Sequence, residues 1–376
     1  MNDTSLTPTT PTGHRRSSAV LITGAGGEVG HGLIDALHAQ GREEIVAIDI
    51  RELEPAMRDK CRETFVGDIC DPLLLGRLLA MYEITEIYHL AALLSTRAEY
   101  APESAHEVNV GGTLNLLRLA SEQARSHGRK VKFIYPSSIA VYGMPDLDTK
   151  AKAGAVTEDE YLNPTTMYGC NKLYGEHLGR YYARHYRQLA QDRIPDVLDF
   201  RCVRYPGLIS PHTVPSGGTS DFGPEMIHAA AAGKPYKCFV RESARIPFMT
   251  MGEAIEATLA LGAADAKRLT RCVYNIGAFS PTAGEFADAV REAFPGAEHL
   301  FQARRAAPGH RGFVAGRGGL VRGDPRLGLQ ARQGLQAGLR RRPAPADPGA
   351  IHRLIGPLSR CRTNRRPRER CSGRRG

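Results

Sequence analysis

The chain has 376 residues, 42% hydrophobic and 24% charged, which bounds it to one large or two modest globular domains with a sizeable core. The formal net charge of +10 points to an anionic partner until it is located: nineteen arginines, no lysine and three acidic residues follow Glu298, so the tail carries +16 and residues 1–298 carry −6. No apolar run reaches the roughly 18 residues of a membrane span, and the eight scattered cysteines form no C-x-x-C pair. A disulfide framework and a zinc site are therefore not expected, and a reduced cytoplasm is.

The opening MNDTSLTPTTPTGHRRSS lacks an apolar signal-peptide core and reads as a disordered leader over residues 1–17. From Ala19, short β-branched runs alternate with longer amphipathic stretches: AVLIT, EVGHGLIDALHAQG, EIVAIDI, ETFVGD, PLLLGRLLAMYE, EIYHLAA, GGTLNLLRLASEQARSHG and VKFIYPSS. Buried strands alternating with helices of three to five turns predict a doubly wound α/β Rossmann fold, a parallel sheet with helices on both faces, followed by a smaller C-terminal substrate-binding subdomain. The expected division is a nucleotide-binding domain over 18–205, mostly substrate subdomain with returning sheet elements over 206–298, and an arginine-rich tail over 299–376.

VLITGAGGEVG sets Gly24, Gly27 and Gly30 in the first strand-to-helix turn, where glycine lets the backbone approach a pyrophosphate at the positive end of the next helix. A flexible turn would use the same residues. Asp49 ends the second strand about 20 residues on, where a carboxylate accepts from a ribose 2′-hydroxyl and repels a 2′-phosphate, so NAD is expected rather than NADP. Arg51 lies beside it and tempers that preference. Glu28 and Val29 of the same turn are counted among the cofactor contacts.

YPSSIAVYG ends a strand at Ser137 and Ser138, and MYGCNK spaces Tyr168 and Lys172 four apart, which stacks them on one helix face. Such a pair also occurs on ordinary surface helices. Here it follows the glycine turn, Asp49 and the serines in the order that hydride chemistry needs. An ammonium beside a phenol lowers a pKa that starts near 10, giving a base for an alcohol proton while Ser138 bonds the reacting oxygen.

TGAGGEVG, HLAALLS, VNVGGT, PSSIAVYG and YGCNK together resemble the extended short-chain dehydrogenase/reductase superfamily, over about residues 19–298. The resemblance implies cofactor contacts at Asp68, Ile69, Ala91 and Lys172, a structural or relay role for Asn109, and a homodimer through the helices after Gly112 and around Tyr168. The dehydratase branch has an acidic pair at the positions of Ser138 and Ile139, which argues against dehydration here. RYPGLIS, VPSGGTSDF and ARIPFM are similar to the short-chain-type L-threonine 3-dehydrogenases. That likeness implies a pocket of Ser95, Ser138, Thr219 and Asp221, with Asp221 facing the substrate ammonium. Ser216, Phe222 and TMGE depart from that pattern, so a related small β-hydroxy amino acid stays open. A nucleotide-sugar epimerase shares the cofactor and catalytic residues; a non-catalytic NAD-sensing protein would not need Tyr168 and Lys172 together.

After Glu298 the similarity stops. PGHRGFVAG can be written in codons that, read one base later, give Gln-Gly-Ile-Val-Asp-Ser-Trp-Pro. GLQARQGLQAGL and QARRAA convert in the same frame to other segments of the dehydrogenase pattern. One extra base near the codons for Glu298 and His299 is the expected cause. A nucleic-acid-binding tail is the competing reading, but it lacks the interleaved aromatics of a single-strand binder.

Overall fold

The computed structural model describes residues 16–301 except 155, 192, 194–196, 211–217 and 219. The leader through residue 15 and the tail from residue 302 lie outside the described residues. The strands are β1 (Ser17–Thr23), β2 (Ile45–Asp49), β3 (Glu63–Val66), β4 (Tyr82–His89), β5 (Val131–Ser138), β6 (Leu198–Tyr205), β7 (Gly207–Ile209), β8 (Tyr236–Cys238), β9 (Phe248–Thr250), β10 (Val273–Asn275) and β11 (His299–Phe301). The helices are α1 (Glu28–Ala39), α2 (Pro55–Arg58), α3 (Pro72–Met81), α4 (Ser95–Tyr100), α5 (Pro102–His106), α6 (Thr113–His127), α7 (Leu147–Ala153), α8 (Met167–Arg184), α9 (Phe222–Ala231), α10 (Met251–Ala263) and α11 (Ala283–Ala293). A π-turn over Glu107–Gly112 leads into α6.

Seven strands form one parallel sheet in the order β10-β6-β5-β4-β1-β2-β3. The order reverses at β1, between β2 and β4, and such a switch point leaves a crevice at the carboxyl ends of the strands. On one face α3, α6 and α8 pack through Leu74, Leu78, Leu116, Leu117 and Tyr182; on the other, α1 and α10 pack through Leu33, Ile34, Leu37 and Ile255. A second core gathers Phe222, Met226, Phe248, Phe286 and Val290 from α9, β9 and α11. The doubly wound parallel sheet expected from the alternating pattern is therefore present.

The eight expected elements occur, VKFIYPSS with its ends as read and the other seven with shifted ends. The first strand starts at Ser17, inside the segment read as leader. The third helix stops at Met81, because Tyr82 is already extended and begins β4, and β4 ends at His89 instead of Ala92. Residues beyond His89 leave the sheet because Asn109 holds their backbone: its Oδ1 accepts from Leu93 N at 2.8 Å and its Nδ2 donates to Leu93 O at 3.0 Å.

Helix α8 lies directly on β5 and β6 through glycines. A Cβ at Gly169 would collide with the carbonyl oxygen of Ala140, one at Gly175 with the Tyr135 ring, and one at Gly179 with the Phe200 ring. Thr166 caps the helix by accepting from Gly169 N at 3.1 Å. Overpacking such a contact costs about 1–3 kcal/mol. Gly169→Ala should therefore lower the urea unfolding midpoint by the equivalent of that loss, and a midpoint equal to wild type would refute the close approach.

Candidate active site

The first βα turn builds the nucleotide end. Gly24 has φ +68°, a left-handed conformation that an L side chain rarely adopts, and a Cβ there would lie 2.5 Å from Ala91 N. Gly27 N donates to Gly24 O at 3.2 Å and Gly27 precedes α1, while Gly30 presses its Cα face against Ala25 O. Glu28 is the first residue of α1, with a buried Oε1 that has no partner among the described residues; Val29 packs between the first-sheet cores. Asp49 is 8% exposed at the end of β2, its Oδ2 accepting from Gly26 N at 2.9 Å and its Oδ1 from Arg51 N at 3.1 Å. Arg51 thus contributes its backbone amide, and its side chain is exposed. The exposed Asp68 accepts from Cys70 N, and Ile69 is buried beside Gly112. A bare backbone cradle at a helix start, with a carboxylate fixed at the next strand end, fits a dinucleotide.

Beneath this turn lies a buried polar chain. Ala91 N donates to Thr23 Oγ1 at 3.4 Å, Thr23 Oγ1 meets His89 Nδ1 at 2.9 Å, and His89 Nε2 meets Thr113 Oγ1 at 2.8 Å. Thr113 Oγ1 donates to Asn109 O at 2.6 Å, so it accepts from His89, whose proton is assigned to Nε2. Burial, and then Lys172, push His89 down to about 3, which keeps it neutral. Asn109 also donates to Asn171 Oδ1 at 3.3 Å and thereby ties the β4 loop to α8.

The catalytic candidates meet at the ends of β5 and α8. The buried Tyr168 faces Ser138, whose hydroxyl favours its phenolate and whose Oγ accepts from Ala140 N at 3.1 Å. Lys172 Nζ donates to Pro136 O at 2.8 Å and lies 5.7 Å from the Tyr168 ring and 4.8 Å from the Tyr135 ring. Burial pushes the lysine down to about 8, against Cys202 and Glu176. The Tyr168 phenol does not show the lowered pKa expected from its lysine. Burial lifts it well above the usual phenol value, and the Ser138 bond offsets this only in part. Desolvation of the phenolate outweighs an ammonium that is committed to a backbone carbonyl.

The substrate candidates are placed on flanking elements. Ser95 is half-buried at the start of α4, and Asp221 precedes α9 in the second core, its Oδ2 accepting from Gly218 N at 2.5 Å. Thr219 and Ser216 lie outside the described residues. Phe222 turns into the second core against Phe248 and Phe286. Sequence reasoning missed the partners: Glu99, which accepts from Met167 N and caps α8; Asn171; and the ion pair of Glu176 with Arg204. A charged residue inside the apolar run DFRCVRY was the available signal for Arg204. Among the described residues, no His/Cys/Asp/Glu group fits a metal ion and no helix is long and apolar enough to cross a membrane.

A doubly wound sheet with a glycine turn at its switch point and a Tyr-Lys-Ser cluster defines a nucleotide-dependent oxidoreductase of the short-chain type. The model of the NAD dependent epimerase/dehydratase family matches residues 20–277, and the chain belongs to that family. It is 33% identical over 285 residues to the mitochondrial L-threonine 3-dehydrogenase of Bos taurus, covering 73% of this chain and 68% of the relative. The holo form of a GalE-like L-threonine dehydrogenase from Cupriavidus necator superposes with a TM-score of 0.71 at 29% identity, covering 92% of this chain and 100% of that one. UDP-glucose 4-epimerase from Thermotoga maritima shares the fold, with a TM-score of 0.67 at 19% identity over 82% of this chain and 92% of that one. The protein is an enzyme, an NAD-dependent oxidoreductase similar to L-threonine 3-dehydrogenase.

Lys172 makes stability depend on pH in the ligand-free protein. Its folded pKa lies below the usual 10.5, so between about pH 8 and pH 10.5 the unfolded chain keeps a proton that the folded chain has lost, and its contribution to stability rises with pH. Lys172→Met should flatten the rise in unfolding free energy across that window. Equal slopes for the two proteins would show that the lysine is not desolvated.

Proposed function

We propose that this protein oxidises the 3-hydroxyl of L-threonine, or of a related small β-hydroxy amino acid, to 2-amino-3-oxobutanoate with NAD. The observation that carries the reading is the buried Tyr168 facing Ser138, with the buried Lys172 one turn along α8. Kinship with threonine dehydrogenases supports the substrate. Bound nicotinamide supplies the hydride acceptor for C3 of the substrate. Ser138 orients the substrate hydroxyl, the Lys172 ammonium favours Tyr168 as a phenolate, and that phenolate takes the hydroxyl proton and becomes a phenol. Asp221 offers a carboxylate to the substrate ammonium, while Ser95 and Thr219 offer hydroxyls to its carboxylate. Asp49 favours NAD over NADP. Gly24, Gly27, Gly30, Glu28, Val29, Arg51, Asp68, Ile69, Ala91 and Asn109 line or support the cofactor. Tyr174 and Tyr181, exposed on α8, support the homodimer.

A nucleotide-sugar epimerase is the second reading, favoured by the fold shared with UDP-glucose 4-epimerase. It would retain NAD and release no NADH. The discriminating measurement is threonine-dependent NADH absorbance. Tyr168→Phe should reduce it by about 10²–10⁴-fold. No NADH from threonine, with NAD co-purifying, would instead favour the epimerase.

We also propose that one extra base near the codons for Glu298 and His299 puts residues 299–376 out of frame. The family match ends at residue 277. His299 is 9% exposed in β11, paired with Tyr236, and neither ring nitrogen has a partner among the described residues. Buried polar atoms in evolved cores are normally bonded. Any histidine codon followed by any leucine codon, read one base later, begins with isoleucine or threonine, both β-branched and suited to a strand. Sequencing the coding DNA across this junction tests the proposal: an extra base supports it and an intact frame refutes it. The activity assay accordingly uses the chain with its frame restored after Glu298.

A further inference from the structure

Tyr168, Lys172 and Glu176 recur every four residues along α8, and all three are buried, at 9%, 5% and 0% exposure. A helix places such residues on one stripe. The first two belong to the chemistry described above; the third has no part in it. A carboxylate one turn from a buried lysine would ordinarily take that lysine as its ion-pair partner. Here both of its oxygens are occupied. Arg204 Nε donates to Glu176 Oε1 at 2.8 Å and Nη2 to Oε2 at 2.6 Å, a two-pronged pair with no exposed surface on either side chain. Arg204 Nη1 donates in addition to Tyr142 Oη at 2.7 Å and Glu158 O at 2.8 Å, so the guanidinium is held in place from β6 by three other segments.

We propose that Glu176 and Arg204 are positioning residues for Lys172: the fork directs a fixed negative charge at the lysine while preventing that carboxylate from capturing the ammonium. The proposal rests on the reading that Tyr168 and Lys172 carry the proton transfer. Its geometric basis is the stripe and the fork: Glu176 lies one turn beyond Lys172 on α8, with both oxygens held by Arg204. The carboxylate favours the charged lysine against its burial. The other groups facing Lys172 do not supply a charge. His89 from β4 is held neutral, Cys202 from β6 is kept as a thiol by burial, and Tyr135 from β5 and Tyr168 are raised by burial. From β5, Pro136 O fixes the Nζ atom. Glu176 is therefore the anion, among these described neighbours, that opposes the desolvation of the lysine. The fork fixes it without exposing Lys172 to a competing bond. Arg204 stays charged because, although burial disfavours the guanidinium, its bonds and attraction to Glu176 outweigh that penalty.

The test reads Lys172 without turnover or cofactor, so its failure is distinguishable from failure of the threonine reading. Unfolding free energies of the full chain and of its Lys172→Met variant are measured against pH, and their difference locates the lower edge of the lysine's titration window, about pH 8. The same pair of curves is then taken with Glu176→Gln. Loss of the carboxylate, leaving Arg204 behind, should move that edge down by about one pH unit. Should Glu176→Gln fail to fold, Glu176→Leu combined with Arg204→Met fills the space without charge and should move the edge in the same direction. A purely structural role changes overall stability and leaves the edge where it was. A folded variant of either kind with the wild-type edge overturns the proposal.

Discussion

The rest of the site depends on how closely α8 can approach the sheet. A helix on a sheet is normally held off by its own side chains, yet Gly169, Gly175 and Gly179 let this one touch the Ala140 carbonyl and the Tyr135 and Phe200 rings. That approach sets Tyr168 facing Ser138 and brings Lys172 Nζ within 2.8 Å of a strand carbonyl, that of Pro136. Any larger residue at these positions would lift the catalytic helix before it altered any catalytic group. The cap from Thr166 and the carboxylate of Glu99 on the Met167 amide fix the same helix at its first turn, the turn that carries Tyr168. Packing and chemistry are therefore one problem in this fold.

Close approach has an electrostatic consequence. A lysine, a tyrosine and a glutamate become buried on one stripe, and burial disfavours the charged form of each. The protein answers each case differently. Tyr168 is held as a neutral phenol by burial. His89 is kept neutral within a chain of hydroxyls and amides that assigns every proton. Glu176 is met at both oxygens by Arg204 in a planar fork, an arrangement lysine's point charge does not reproduce. The second buried arginine, Arg201, spends its donors on Asp199 and on the carbonyls of Leu261, Gly262 and Ala264, closing the C-terminus of α10 against β6. Two arginines in one apolar strand thus have different partners: one anchors a helix end and the other holds Glu176 on the buried stripe of α8.

What was legible in the sequence was local. The alternation of apolar strands and amphipathic helices carries the sheet, and the glycine turn carries the backbone cradle, because both are properties of consecutive residues. Asp49 was legible by its distance from that turn. Tyr168 and Lys172 were legible by helical spacing, although the direction of the tyrosine's pKa shift was not, since burial depends on the whole sheet. Glu176 with Arg204 and Asn109 with Asn171 join residues 28 and 62 positions apart, and no local pattern specifies such partners. The end of the third helix was misplaced for a related reason. MYEITEIYH contains no glycine or proline to mark the change at Tyr82, and its pairing with β1 decides where extended backbone begins.

The two cores divide the consequences of whatever follows Phe301. The glycine turn, Asp49, His89, Ser138, Tyr168 and Lys172 are built from β1, β2, β4, β5 and the helices against them, with no contribution from β11. Asp221 instead heads α9, whose apolar face packs in the second core with Phe248, Phe286 and Phe294. That core also packs Phe301 of β11, a strand of three residues paired with β8. The glycine turn and Asp49 therefore stand beside cores that β11 does not join, whereas Asp221 heads a helix of the core that includes Phe301.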